Sequence, residues 1–477
     1  MNLTVRAALL GNEYRVSGPV EIQIAEGRIA AIVPACRDVP NHLAMPTLAD
    51  AHNHARPLSA TSFGGGGKPL ETWLPGLAVI PPVDPYTAAA ASFGRSLSGG
   101  CTAVMVHLTR PMGGMPLADE AREIARAAAD VGLSIGFAVS LRDRNPLVYG
   151  DHGDLVAALP EAARSALAGT LLRQPPNAEE QLDLVDTVAS AVADQHTPID
   201  VQYGPTGVQW CSDELLSGIA RRSAATGRRV HMHFLETKPQ RDWADATFPN
   251  GILANLDRIG LLSPRLTLAH CVWARPEELA AIARSGTRVA VNASSNLQLF
   301  SGVAAVGAMR AAGVQVAMGL DGCALDEDDD ALREMRLLHL LNHAPGFDPG
   351  GLTPETALVA ACVTGRATLG LNSGGVLAPG QPADLMLLDL DQLDRDAIME
   401  VSPLDYLFAR ATRAHIVAAY AGGHEVLRDG APTGIDLPST EERLRGQFRA
   451  AMPDTAAFRG AWPEIEAAID AHYRGCC

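Results

Sequence analysis

Two hydrophobic rhythms divide the chain. Near its start, Val20-Glu21-Ile22-Gln23-Ile24 alternates apolar and polar side chains, Glu26-Gly27-Arg28 turns, and Ile29 to Val33 resumes. This is the period-two pattern of a half-buried hairpin. Residues 383–388 and 415–420 repeat the strand signal near the other end, with Gly422-Gly423 and Asp429-Gly430 as turns. Each end is too short to bury a core alone. The two termini are therefore expected to pair into one small composite β domain, residues 1–47 plus 377–436. Between them, apolar runs at 48–54, 102–107, 133–140, 199–203, 229–235, 266–270, 289–292 and 314–319 alternate with helical periods. Pro276 and Gly286 punctuate one helix, and Thr353-Pro354-Glu355 and Gly370 another. Eight strand–helix units predict an α/β fold, a (β/α)8 TIM barrel over residues 48–376. Residues 437–477, with mixed charges, read as a helical tail for packing or oligomerisation.

Composition narrows the function. The 477 residues are 47% hydrophobic and 19% charged, as in an ordinary globular chain. The 38 basic residues against 54 acidic ones give a net charge of −16, which opposes nucleic acid or an anionic membrane as partner. A small-molecule substrate is the expectation that remains. No apolar run reaches the ~18 residues of a membrane span, and no secretory signal is visible. The 8 cysteines are scattered except for Cys476-Cys477, without a CxxC. A reduced, cytoplasmic protein is expected.

The chemistry sits where the strands end. Asp50, His52 and His54 close the first strand at spacing two, so they share a face, and two imidazoles so placed can grip a metal ion. On the fifth, Val230, Met232 and Phe234 suit packing against helices, which leaves His231 and His233 facing the barrel interior. That interior is normally filled with aliphatic side chains, so inward imidazoles need partners. Glu236 follows as that strand ends. His270 ends the sixth strand and Asp321 the eighth. Each signal alone is weak. Together they gather at the C-terminal face, where barrel active sites form.

These pieces, in this order, resemble the amidohydrolase superfamily. The resemblance lies in the branch of cytosine and guanine deaminases, S-adenosylhomocysteine deaminase and atrazine chlorohydrolase. It rests on Asp50–His54, Gly100-Cys101-Thr102-Ala103, His233-Phe234-Leu235-Glu236-Thr237, Leu268-Ala269-His270-Cys271, Ser295-Asn296-Leu297, Gly319-Leu320-Asp321-Gly322 and Gly380-Gln381-Pro382-Ala383-Asp384-Leu385. It implies one zinc or iron held by His52, His54, His233 and Asp321, with Glu236, His270 and Asp321 acting on water and substrate. His231 is not a ligand in that pattern. Binuclear members carry a bridging lysine on the fourth strand. Ile199-Asp200-Val201-Gln202-Tyr203-Gly204 has none, which implies the mononuclear form. One departure concerns the substrate. Where relatives often have Gly-Pro-His-Ala, this chain has Gly204-Pro205-Thr206-Gly207, so substrate identity does not carry over.

The expected reaction is hydrolytic deamination of a small N-heteroaromatic compound by a metal-activated water. Dechlorination or amide hydrolysis on the same scaffold is the alternative. The loop from Ala55 to Tyr86, with Gly64 to Gly67, Phe63 and Trp73, reads either as a mobile lid able to stack on a flat ring or as a plain insertion. Met112-Gly113-Gly114-Met115 carries the same ambiguity. Lysine occurs only at Lys68 and Lys238. Either these, with Arg56, Arg142 and Arg144, bind an anionic substituent such as a carboxylate, or they are solvated. Gln202 on the fourth strand, and Asn292, Ser295 and Asn296 after the seventh, are candidate pocket liners. The acidic run Asp326 to Asp330 is expected to serve the N-terminus of a helix over 331–341. By analogy with such barrels, a homodimer is expected.

Overall fold

The computed structural model describes residues 1–36, 39–112, 114–194, 199–346 and 351–475. Cys476-Cys477 and Gly113 lie outside them. Eight parallel strands stand side by side in chain order: β1 (Leu48–Asn53), β2 (Cys101–Leu108), β3 (Ser134–Leu141), β4 (Ile199–Pro205), β5 (Val230–Phe234), β6 (Leu266–His270), β7 (Arg288–Val291) and β8 (Gln315–Met318). The last returns to the first, where Asp321 N donates to His52 O at 2.7 Å. Helices between the strands cover the outer face, as a (β/α)8 barrel requires. The expected punctuation is in place. Helix Pro276–Ser285 has proline in its first turn and ends on Gly286 at φ 72°, the left-handed region open to glycine. The acidic run caps helix Ala331–Leu341, where Asp330 accepts from Arg333 N at 3.1 Å.

Both ends of the chain enter one seven-stranded sheet. The C-terminal strand Leu385–Asp389 pairs antiparallel with the N-terminal strand His42–Pro46, setting Leu387 opposite Ala44. Val20–Ala25 forms a separate three-stranded sheet with Asn2–Val5 and Arg28–Pro34. Ile22, Ile29, Ala44 and Leu385, all fully buried, share one core between the two sheets.

Two helices finish the chain. In the first, Leu437–Ala451, Leu444 and Phe448 pack with Ile80 and Val83 of the segment after β1. In the second, Ala456–Gly475, Phe458, Ile465 and Ile469 pack with Leu147, Leu159 and Leu167, which follow β3. These three anchors are at most 3% exposed. At ~1.5–3 kcal/mol per buried large side chain, they fix the tail across loops of the barrel's C-terminal face. Among the described residues no helix is long and apolar enough to cross a membrane.

Candidate metal centre

The C-terminal ends of the strands carry strained backbone. Ala55, Leu235, His270 and Asp321 all adopt positive φ, at 48°, 46°, 74° and 59°. Non-glycine residues in that region cost energy, and they cluster at functional sites. Here the strain turns side chains inward. His52, His54, His270, Glu236 and Asp321 are all at most 7% exposed.

Their atoms converge. His54 Nε2 lies 2.8 Å from Asp321 Oδ1, and His52 Nε2 lies 3.5 Å from the same oxygen. His233 Nε2 is 3.4 Å from His54 Nε2. His52 Nε2 and Asp321 Oδ1 are buried and have no hydrogen-bond partner among the described residues. The second nitrogens explain the orientation. His54 Nδ1 donates to His107 O and His233 Nδ1 to Thr206 O, each at 2.7 Å. A carbonyl only accepts, so both rings carry the proton on Nδ1 and present the Nε2 lone pair inward. Burial keeps the imidazoles neutral, pushing His52 down to about 3 and His233 well below the usual value. Burial opposes ionisation of Asp321, but the Arg56 guanidinium beside it holds its carboxyl well below the ordinary range. Neutral imidazoles and a carboxylate gathered this closely fit a divalent metal. His52, His54 and Asp321 are one compact group able to hold it, and His52, His107 and His233 form another. In the second group His107 Nε2 lies 3.0 Å from Gly204 O, while its Nδ1 has no hydrogen-bond partner among the described residues. Gly204 is required there, because a Cβ would sit 2.8 Å from His107 Nε2.

Beside this point stand the other predicted groups. His270 Nε2 is 3.6 Å from Glu236 Oε2, and His270 Nδ1 donates to Asn296 Oδ1 at 2.9 Å. Burial raises Glu236 to about 7, so both of its protonation states are accessible near neutrality. Ser295 Oγ donates to Asp321 Oδ2 at 2.5 Å. Asn292 Nδ2 approaches His270 Nδ1 at 3.2 Å.

A cavity of about 510 Å3 opens above them, reaching His54, His233, Glu236 and Asp321. Arg56, Trp73, Arg142 and Thr206 line it, the last at the position of the sequence departure. Several expectations need correction. Gln202 lies at the opposite end of the barrel, with Nε2 donating to Asp200 Oδ2 at 2.7 Å and Thr368 O at 2.8 Å. Lys68 is turned to the tail, paired with Glu466 at 2.5 Å, and Lys238 is exposed and paired with Asp242 at 2.6 Å. Neither lysine lines the cavity. Arg56 covers the Trp73 ring at 4.4 Å, so that face is not free to stack on substrate. Asp50 does not share the direction of His52 and His54. The register of β1 shifts after it, and its carboxylate accepts from His52 N at 3.2 Å and Leu320 N at 2.9 Å. The 55–86 segment contains helix Leu70–Gly76, and Trp462 of the tail packs beside Gly76.

Two cavity arginines escape sequence reasoning. Arg110 follows β2, as Arg142 follows β3, and the same positional signal could have found it. It donates to the carbonyls of Leu77 and Ile80 and has no carboxylate partner among the described residues. Arg173 lies between helices, where no pattern marks it.

The chain belongs to the amidohydrolase family, whose model matches residues 43–426. It is 28% identical over 463 residues to the 5-methylthioadenosine/S-adenosylhomocysteine deaminase of Nitratidesulfovibrio vulgaris, covering 93% of this chain and 96% of that protein. It is 33% identical over 192 residues to the 5'-deoxyadenosine deaminase of Methanosarcina barkeri, a match that spans 40% of this chain and 44% of that protein. In fold it is similar to a zinc-bound adenosine deaminase from Xanthomonas campestris, with a TM-score of 0.76 and 22% identity over 94% of this chain and 98% of the other.

Proposed function

We propose that this protein is a metal-dependent aminohydrolase that hydrolyses an amino group from a small N-heteroaromatic compound bearing an anionic substituent. The observation that carries the reading is the convergence of three imidazole Nε2 atoms and Asp321 Oδ1 beneath a cavity that also reaches Glu236. His52, His54, His233 and Asp321 would hold one divalent metal, zinc first and iron second. When bound, such a metal supplies Lewis acidity that makes water nucleophilic near neutral pH. Asp321 takes the proton of the attacking water, while Ser295 occupies its Oδ2. Asn296 fixes the proton of His270 on Nδ1, so His270 Nε2 accepts from that water and aims it. Glu236, poised near 7, gives a proton to the ring nitrogen beside the attacked carbon and spreads the charge of the tetrahedral adduct. Asp321 passes its proton to the amino group, the hydroxyl proton of the adduct returns to Glu236, and collapse of the adduct releases ammonia.

The curated relatives act on adenosine-type compounds by name, which supports an aminated ring. The cavity supports the anionic arm. Arg56, Arg110, Arg142 and Arg173 line it, against the acids Glu236 and Asp321, in a chain of net charge −16. Arg142 has no carboxylate partner among the described residues, and its surroundings lower its pKa by desolvation. An anion there would gain a charge-assisted bond. Free cysteines support the cytoplasm as its compartment. The negative charge argues against nucleic acid, and exposed Leu297, Phe300 and Val303 suit a homodimer contact.

The test is metal content together with ammonia release from aminated heterocycles, with and without a carboxylate. About one metal per chain and stoichiometric ammonia are expected. Arg142→Met should raise KM for carboxylated substrates alone, by about tenfold or more. Two metals per chain, or chloride or carboxylate release without ammonia, overturns the reading.

A further inference from the structure

We propose that His231 is a positioning residue for the metal centre: its Nε2 accepts the Nδ1–H of His52 and fixes the His52 ring with its Nε2 lone pair toward the metal position. The inference rests on the reading of His52, His54, His233 and Asp321 as metal ligands. Among the three imidazoles, His54 and His233 give their Nδ1–H to main-chain carbonyls, which cannot donate in return. His52 is different. Its Nδ1 lies 2.7 Å from His231 Nε2, a nitrogen that can act either way.

Two proton arrangements satisfy that contact. In one, His231 Nε2–H donates, His52 Nδ1 accepts, and neutral His52 must carry its proton on Nε2, where no metal could bind. In the other, His52 Nδ1–H donates and Nε2 is left as a lone pair. Only the second makes His52 a ligand. The structure leaves room for it: His52 Nε2 has no hydrogen-bond partner among the described residues and lies 3.5 Å from Asp321 Oδ1. His231 is fully buried, and its Nδ1 has no hydrogen-bond partner among the described residues in either arrangement. An aliphatic residue at this inward position would fill space as barrels ordinarily do. Partners of this kind orient metal-binding imidazoles, and removing one typically weakens metal binding by about 10–100-fold.

The test measures zinc affinity of the full chain by competition with a chromophoric chelator, using wild type, His231→Leu and His231→Gln. His231→Leu should bind zinc about 10–100-fold more weakly, whereas His231→Gln, whose side-chain carbonyl can accept from His52, should recover most of the loss. Thermal midpoints of the zinc-free proteins separate this from general damage, since the affinity loss must appear in protein that is folded without zinc. Equal affinity for wild type and His231→Leu overturns the proposal, as does a His231→Gln variant as weak as His231→Leu. If His231→Leu does not fold, NMR on wild type with 15N-labelled histidine decides. A proton on Nδ1 of His231 in the zinc-loaded protein is expected, and one on Nε2 overturns the proposal. Wild type that binds no zinc would bring down the metal reading itself, a result distinct from tight binding that ignores residue 231.

Discussion

The two ends of the barrel interior are both lined with polar side chains, yet these are spent in different ways. At the N-terminal end, fully buried Arg366 donates to Thr47 O at 2.7 Å, Thr47 Oγ1 at 2.8 Å, Cys362 O at 3.1 Å and Thr102 Oγ1 at 3.2 Å. Gln202 reaches Asp200 and Thr368, and Asp200 pairs with Arg229 at 3.1 Å. These groups tie strand starts to the short helix Gly365–Thr368. At the C-terminal end, Nδ1 atoms are bonded away from the centre, while His52 Nε2 and Asp321 Oδ1 face each other unbonded. Polar burial is common to both ends. Arg366 Nε and Gln202 Oε1 are orphaned at the floor too, but among the described residues compact groups of potential metal-ligand atoms occur only at the C-terminal end, and they mark the place for a ligand.

The sharpest way to break this comparison is to cut each end separately. His233→Ala or Asp321→Ala should abolish metal retention and reduce turnover to background, with the fold intact by circular dichroism. Elemental analysis of the purified variants checks it, and a variant that keeps its metal counts against the assignment. Glu236→Gln comes next. It should lower kcat by about 10²–10⁴-fold while metal content stays at the wild-type level. Unchanged kcat would remove Glu236 from the proton path. At the other end, Arg366→Met should leave metal content and KM unchanged and cost stability of about 3 kcal/mol, because it strands several buried acceptors. Urea unfolding reads this loss, and a change in metal content would mean that the two ends are not independent.

The same contrast explains what the sequence could convey. The strand ends carrying His52, His54, His233, His270 and Asp321 were legible because polar residues interrupt apolar runs at positions of known direction. The barrel was legible for the same reason, through its eight apolar runs. Gln202 and Asn292 look equivalent in such a reading, each a polar residue associated with an apolar strand. They differ in height along the barrel axis, and only the register across neighbouring strands sets that height. Lys68 was unreadable because its partner, Glu466, comes from the tail and reaches it only in the folded chain. Arg142 was found by its place after a strand. Arg173 has no such place.

Glu334 was invisible on the same grounds, and it supplies the smallest and most specific test. It belongs to helix Ala331–Leu341, and nothing local separates it from a surface glutamate. In the fold it is 2% exposed and accepts from Ser294 N at 3.0 Å and from Ser294 Oγ. It thereby holds the start of helix Ala293–Gln298, from which Ser295 reaches Asp321 and Asn296 reaches His270. Burial raises its carboxyl from 4.5 to about 7. The fold therefore favours protonated Glu334. That contribution is complete below pH 4.5 and is lost as pH climbs through about 7. Glutamine keeps a carbonyl acceptor and cannot ionise. Glu334→Gln should accordingly gain stability relative to wild type as pH rises from about 5 to about 8, with a slope of at most about 1.4 kcal/mol per pH unit. Urea midpoints of both proteins across that range measure the slope. Parallel curves would show that Glu334 is already ionised in the fold, placing it with the paired charges of the barrel floor instead of the strained groups of its mouth.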